Sequence, residues 1–313
     1  MTQSSVAPAL VHIGSRGSPL ALAQARAVRG RLAAVHGIDA DHIPIEAIRT
    51  TGDQIQDRPL AQAGGKGLFT KEIEEALLTG RIDLAVHSAK DVPATLPPGL
   101  VLCAYLPRED PRDVFISAKA KALRDLPPGA AVGTASLRRQ ALVKRLRPDV
   151  EIVPLRGNVE TRLRKISAGE ADATVLALAG LKRLDLAGAA ATVLDIDEFL
   201  PAVGQGAIVV QTREDDARTR ALVAPIADAD TAVALAAERA FLSVLDGSCR
   251  TPIAGYAVVN GNNVRFRGLI LKPDGSQSFE TERSGRRSDA AAIGADAAQE
   301  LKRRGGAGFF GEA

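Results

Sequence analysis

The heptapeptide Asp246-Gly247-Ser248-Cys249-Arg250-Thr251-Pro252 sets a cysteine on a turn, with glycine before it and proline after it. Glycine tolerates positive φ, and proline fixes φ and lacks an N–H, so the two punctuate the chain. A thiol on such a loop can be presented to a ligand, and Arg250 beside it favours the thiolate, the nucleophilic form. The alternative is a small buried hydrophobe, the commoner fate of an isolated cysteine. A second reactive group is His87-Ser88-Ala89-Lys90-Asp91, which follows the apolar run Ile82-Asp83-Leu84-Ala85-Val86. Read as a strand, that run puts Lys90 and Asp91 just past its carboxyl end, where open α/β sheets place chemistry. A surface salt pair is the plainer reading. The remaining signal is cationic: the chain has 30 Arg and 10 Lys. Arginine pairs bidentately with carboxylate or phosphate. A coding bias would give the same count, so the positions of the arginines have to decide.

Those positions fall at strand-to-helix junctions. Leu10 to Ile13 reads as a strand, Gly14 to Ser18 as a turn carrying Arg16, and Pro19 to Ala34 as a helix with Ser18 at its N-cap. The N–H groups of such a turn suit an anion; an ordinary cap beside a solvated Arg16 fits as well. Ile43 to Ile48 reads as a strand. Thr50 to Gly67 lacks apolar periodicity and reads as a lid or binding loop. Its Gly64-Gly65-Lys66-Gly67 is not a Walker A loop, because no Ser or Thr follows Lys66. A helix from Thr70 to Leu78 follows Phe69. Beyond Asp110-Pro111-Arg112-Asp113 a second α/β unit begins with a strand at Ala131 to Thr134. Ser136 caps a helix, Leu137 to Leu146, that opens on Arg138-Arg139. Ile152 to Leu155 is a strand, Arg156-Gly157-Asn158 a turn, and Val159 to Ile166 a helix carrying Arg162 and Arg164. A strand at Ala173 to Leu178 runs into Lys182-Arg183. The glycine-hydroxyl turn before the first helix of each unit makes a weak internal repeat. Cations at four such junctions favour a cleft for a ligand with many negative charges.

Leu200 to Val210 is a glycine-rich return to the first unit, with the character of a hinge. Thr231 to Leu245 reads as an amphipathic helix. Ile253 to Val259, Asn263 to Leu271 and Ser278 to Arg283 alternate like antiparallel strands, and Ser288 to Arg304 is a last helix. This third unit carries the thiol loop.

The 313 residues, 46% hydrophobic and 25% charged, suit two or three globular domains. No apolar run reaches the ~18 residues of a membrane span, and the N-terminus lacks the basic and apolar regions of a secretion signal. Two cysteines, Cys103 and Cys249, exclude a disulfide framework or a cysteine zinc cluster and suit the reducing cytoplasm. With 3% aromatic residues and no Trp, a stacking surface for nucleic acid is not expected. A cysteine hydrolase needs a histidine to activate Cys249, yet His12, His36, His42 and His87 all precede the third unit. The main rival to an enzyme is a two-domain module that only captures an anion.

Taken in order, the motifs resemble the porphobilinogen deaminase (hydroxymethylbilane synthase) family from about Val11 to Leu301. They are Arg16-Gly17-Ser18-Pro19-Leu20, Gly64-Gly65-Lys66-Gly67-Leu68-Phe69, Val86-His87-Ser88-Ala89-Lys90-Asp91-Val92-Pro93 and Arg108-Glu109-Asp110-Pro111-Arg112-Asp113. They continue through Gly133-Thr134-Ala135-Ser136-Leu137-Arg138-Arg139, Leu155-Arg156-Gly157-Asn158-Val159 and Leu176 to Arg183. The last are Pro201-Ala202-Val203-Gly204-Gln205-Gly206-Ala207 and Gly247-Ser248-Cys249. The resemblance implies a transferase of porphyrin (haem) and tetrapyrrole biosynthesis that joins porphobilinogen units head to tail with loss of ammonia. It implies a dipyrromethane cofactor on Cys249 and a catalytic Asp91 with Lys90. Arg16, Ser18, Lys66, Phe69, Lys90, Ser136, Arg138, Arg139, Arg156, Arg162, Arg183 and Gln205 would hold cofactor and growing chain. Phe69 is open between a pyrrole face and a core position. Gln62 stands where a lysine is frequent, removing one cation from the loop.

The implied fold is α/β. Two domains like periplasmic binding proteins, 1–106 with 204–226 and 107–203, surround a cleft. A small α+β domain, 227–313, adds a three-stranded antiparallel sheet and carries the cysteine. A cytoplasmic monomer without metal, nucleic-acid or membrane partners is expected.

Overall fold

A computed structural model describes residues 10–54, 69–246, 251–306 and 308–309. In chain order these residues build β1 (Ile13–Arg16), α1 (Pro19–His36), β2 (Ile45–Ile48), α2 (Thr51–Gln54), α3 (Lys71–Leu78), β3 (Leu84–Ser88) and β4 (Leu100–Tyr105). The chain then leaves for β5 (Asp113–Ser117), β6 (Ala131–Gly133), α4 (Leu137–Leu146), β7 (Glu151–Val153), α5 (Val159–Ser167), β8 (Ala173–Ala177), α6 (Leu178–Arg183) and β9 (Thr192–Val193). It returns through β10 (Ile208–Arg213) and α7 (Ala217–Val223). It ends in α8 (Ala229–Val244), β11 (Ile253–Asn260), β12 (Asn263–Leu271), β13 (Ser278–Arg286) and α9 (Ala290–Gly305).

Two sheets share one plan. The first runs β2-β1-β3-β10-β4 and the second β7-β6-β8-β5-β9. In each, three parallel strands are joined by one antiparallel strand that arrives from elsewhere in the chain: β10 beside β3, and β5 beside β8. The weak repeat read from the glycine-hydroxyl turns is thus present as a shared strand order. Parallel strands need crossovers, and the helices that make them start at the carboxyl ends of the strands. That is where α1, α4, α5 and α6 begin, so the cationic junctions all sit at one end of each sheet.

Local sequence explains the helix starts. Ser18 accepts a hydrogen bond from Ala21 N, Pro19 occupies the first turn, and Gly37 ends α1 at φ 62°. Asn158 caps α5 through Thr161 N. The strand starts differ from the sequence reading. Gly14 and Ser15 lie inside β1, paired with β2 and β3, and the turn begins only after Arg16. Gly14 is there for close packing: a Cβ would come 2.2 Å from Ile82 Cδ1. Likewise β3 runs on through His87 and Ser88, so the reactive turn is the 3-10 segment Ala89–Asp91.

The first sheet packs Ile13, Val28, Leu32, Leu84 and Val86 on one face, and Ile73, Leu77 and Ala85 on the other. The C-terminal sheet β11-β12-β13 is antiparallel throughout. Its Ala254, Leu269 and Leu271 share one core with Phe115, Leu142 and Phe199, so it is welded to the second sheet unit. Leu235 of α8 packs with Ala89 and Val92, which brings the C-terminal unit against the reactive turn. Among the described residues, no helix is long and apolar enough to cross a membrane.

Helices α8 and α9 pack closely enough that a Cβ on Gly294 would lie 1.9 Å from Ala237 O. Gly294→Ala raises intrinsic helix propensity yet forces the helices apart. It is expected to lower unfolding free energy by about 1–3 kcal/mol, read from the urea midpoint; a stabilised variant would contradict the packing.

Candidate active site

The site forms where the carboxyl ends of the two sheets meet. From the first sheet come Arg16 at the end of β1, Ser18 at the cap of α1, and Lys90 and Asp91 in the turn after β3. From the second come Ser136 at the cap of α4, Arg138 and Arg139 in its first turn, Arg156 before α5, Arg162 within it, and Arg183 at the end of α6. Leu20 of α1 reaches α6, where a Cβ on Gly180 would be 3.6 Å away.

The adjacent arginines of α4 are the key to the geometry. Cations in the first turn of a helix oppose its macrodipole, so an anion has to compensate. Asp113, the first residue of β5, supplies it. Arg138 Nη2 donates to Asp113 Oδ2 at 2.7 Å, and Arg139 Nη2 donates to Oδ1 at 2.8 Å. Asp113 is fully buried, and the two arginine residues are 4% and 6% exposed. Burial opposes the Asp113 charge, but the arginines outweigh it and hold its pKa at about 2. Arg138 also donates to Leu200 O at 2.8 Å. The resemblance assigned both arginines to the ligand; here they first satisfy this buried carboxylate. The doubled arginine was the signal for Asp113, although it did not say which acid would answer it.

Gln205 joins the first sheet to this hub. Its Nε2 donates to Pro111 O at 2.7 Å and to Asp113 Oδ1 at 3.1 Å, and its Oε1 accepts from Lys90 Nζ at 3.4 Å. Gly204 and Gly206 flank it at φ 74° and 89°, conformations open to glycine. A Cβ on Gly204 would meet Ala89 C and Lys90 N at 2.9 Å. Arg183 Nη2 donates to Gly206 O at 2.6 Å, and Arg162 Nε donates to Gly157 O at 2.8 Å. Arg16 lies over the half-buried Phe69 ring at 4.2 Å. Ser18 and Ser136 accept from Ala21 N at 3.3 Å and Arg139 N at 3.4 Å. Each hydroxyl keeps its own hydrogen to donate.

These groups crowd one another electrostatically. Burial, then Arg139, lowers the Lys90 pKa to about 8, with Asp91 and Asp113 acting against them. Burial and Arg139 likewise bring Arg162 to about 10, with Asp91 opposing. Arg138 Nε is buried with no hydrogen-bond partner among the described residues. Such a donor set fits a ligand with several carboxylates, each able to take a bidentate or charge-assisted pair. Cys249, Lys66 and Gln62 lie outside the described residues.

Two further groups escaped the sequence reading. Glu238 of α8, fully buried, pairs with Arg108 and accepts from Gly204 N at 2.7 Å and Ala257 N at 2.9 Å. Arg239, next to it, donates to Pro93 O at 2.9 Å and Ala94 O at 3.0 Å, just after Asp91. Neither carries a motif; only the fold brings them to the site.

Comparison with known proteins follows the same path. Residues 11–221 match the family described as "Porphobilinogen deaminase, dipyromethane cofactor binding domain", and residues 232–303 match its C-terminal domain. A porphobilinogen deaminase of Nitrobacter winogradskyi is 64% identical over 310 residues, covering 99% of this chain and 98% of its own. One from Paracoccus denitrificans is 54% identical, covering 99% of each. Among solved structures, a methionine-binding protein aligns over 71% of this chain and 91% of its own, at 16% identity and a TM-score of 0.45.

Lys90 is ammonium below about pH 8 and loses that charge above it. Binding of a small dicarboxylate to the unliganded protein should therefore weaken as pH rises through this value. Lys90→Met should remove the step, as read by calorimetric titration at about pH 7 and about pH 9.

Proposed function

The chain belongs to the porphobilinogen deaminase family, and we propose that the cleft between its two sheets performs that family's reaction with Asp91 as the catalytic carboxylate. The reaction joins porphobilinogen units head to tail, with loss of ammonia, to give the linear tetrapyrrole hydroxymethylbilane. The observation that carries the residue roles is the ring of cations around one short turn that ends in a carboxylate. Each pyrrole unit brings an acetate and a propionate, so a growing chain accumulates the negative charge that this ring lacks.

Asp91 stabilises the substrate at the moment ammonia leaves its aminomethyl carbon, when the pyrrole becomes electron-poor and positive. A carboxylate beside the pyrrole nitrogens also handles the proton released as the new ring regains aromaticity. Lys90, steadied by Gln205, orients a substrate carboxylate next to that point. Arg16 over Phe69, Ser18, Ser136, Arg139, Arg156, Arg162 and Arg183 hold the remaining carboxylates, and Arg138 braces Arg139 through Asp113. Lys66, in the segment that precedes α3 in the sequence, adds a further cation. The dipyrromethane, thioether-linked to Cys249, supplies the pyrrole carbon to which the first unit is joined.

In this reading the chain divides into 1–106 with 204–226, 107–203 and 227–313, and works in the cytoplasm as a monomer.

The intact mass of the denatured protein, before and after porphobilinogen is added, tests the reading. The expected mass exceeds the bare chain by two deaminated pyrrole units, grows in steps with substrate, and reverts to the bare value in Cys249→Ser. A bare chain in folded wild-type protein, unchanged by substrate, would sink it. Asp91→Asn should lower kcat by about 10²–10⁴-fold with the melting temperature nearly unchanged; near-normal turnover would remove Asp91 from the catalytic role.

A further inference from the structure

Three polar side chains stand in a row on the α3-facing side of the first sheet. His87 Nε2 lies 3.0 Å from Gln211 Oε1, and Gln211 Nε2 donates to Glu74 Oε1 at 3.3 Å. Their exposures are 5%, 0% and 6%. Gln211 sits across from Ala85 in the β3–β10 register, and His87 lies two residues beyond Ala85 on the same face. Ala85 packs there with Ile73, Leu77, Ile82 and Leu100. Apolar side chains would fill this space without the desolvation cost that each buried polar group carries when unpaired.

Both ends of the row lead to the active site. Glu74 is in the first turn of α3, where its N–H bonds Thr70 O at 2.8 Å, and Thr70 follows the Phe69 that underlies Arg16. His87 is the next-to-last residue of β3, directly before Ser88 and the Ala89–Asp91 segment, and Ala89 N is itself tied to Ala207 O at 3.0 Å. The imidazole feels the charges of Asp91 and Arg16.

We propose that Glu74, Gln211 and His87 form a positioning network that sets the Asp91 turn in register with Phe69 and Arg16 from behind the sheet. The proposal rests on the deaminase reading given above. Hydrogen bonds are directional where apolar contacts are not, so the row fixes an orientation as well as a distance. Gln211 turns its amide nitrogen to Glu74 and so leaves its oxygen for His87. The proton of His87 therefore resides on Nε2. Burial drives the His87 pKa down to about 4, so the ring is neutral at physiological pH and brings no imidazolium to compete for Asp91.

The test uses the full-length, cofactor-loaded enzyme. Gln211→Leu keeps the volume and deletes both bonds. It should lower kcat about tenfold or more, as small misplacements of reacting groups do, while KM stays within about twofold. The cofactor mass should be retained, and the His87 ring N–H resonance seen by NMR in the wild type should disappear. Glu74→Gln retains an acceptor for Gln211 and should keep kcat within about twofold. Unchanged kcat in folded Gln211→Leu overturns the proposal, as does an equal loss of kcat in Glu74→Gln. If Gln211→Leu fails to fold, His87→Gln is read in the same way; failure of both would make the row a stability device and overturn its positioning role. The wild type assayed alongside separates the two readings, since an inactive wild type counts against the deaminase and an unaffected variant counts against the network.

Discussion

The arrangement of cations in the cleft depends on one buried carboxylate. Arg138 and Arg139 are neighbours on one helix turn, and like charges this close and this dry repel strongly. Asp113 makes their proximity tolerable, and its own burial is tolerable because of them. Its position matters as much as its charge. It opens β5, on the strand by which the chain first enters the second sheet, while Gln205 lies on the segment by which the chain returns. The two crossovers therefore meet at the electrostatic hub, and Lys90 of the first sheet is attached to it through Gln205. A movement of one sheet unit against the other cannot leave this hub untouched.

A second buried carboxylate ties in the C-terminal unit. Glu238 accepts from the backbone on both sides, at Gly204 and Ala257, and pairs with Arg108, which also donates to Gln205 O at 2.9 Å. Arg239 faces the other way and binds the carbonyls just beyond Asp91. Consecutive residues of α8 thus hold the Gly204 segment and the carbonyls that follow Asp91, and the chain leads on from this helix to Cys249. Helices are the stiffest short elements available for fixing such a relation.

Much of this was legible in the sequence, for a physical reason. Helix caps, turn glycines and apolar strands are local, so the junctions at Ser18, Ser136 and Asn158 could be read with their cations attached. The boundaries that moved did so for non-local reasons. Gly14 reads as a turn residue until Ile82 is seen above it, and His87 reads as a loop residue until Gln211 is found as its partner. The roles of Asp113 and Glu238 were not legible, because a buried carboxylate looks like a surface one until its partners, from 25 to 130 residues away, are folded around it. Composition recorded the excess of arginine; only the fold separates those that brace one another from those that face the cleft.

That separation bears on how Asp91 can act. A carboxylate paired directly with a guanidinium has its charge spent, and it offers little to a cation developing on a substrate. Among the described residues no ion pair joins Asp91 to a cation, although Lys90 and Arg162 both lie within reach of its field. The cations are instead directed to other acceptors: Arg138 and Arg139 to Asp113, Lys90 to Gln205, Arg162 to Gly157 O and Arg183 to Gly206 O. For Lys90, Arg162 and Arg183 a neutral carbonyl oxygen satisfies the donor geometry without cancelling the charge. On the proposed reading, the cleft is thereby left attractive to carboxylates along its walls, while Asp91 keeps its charge for a cation that develops on the substrate. Polyanion binding and cation stabilisation, which oppose each other in a uniform field, can then coexist in the same cleft.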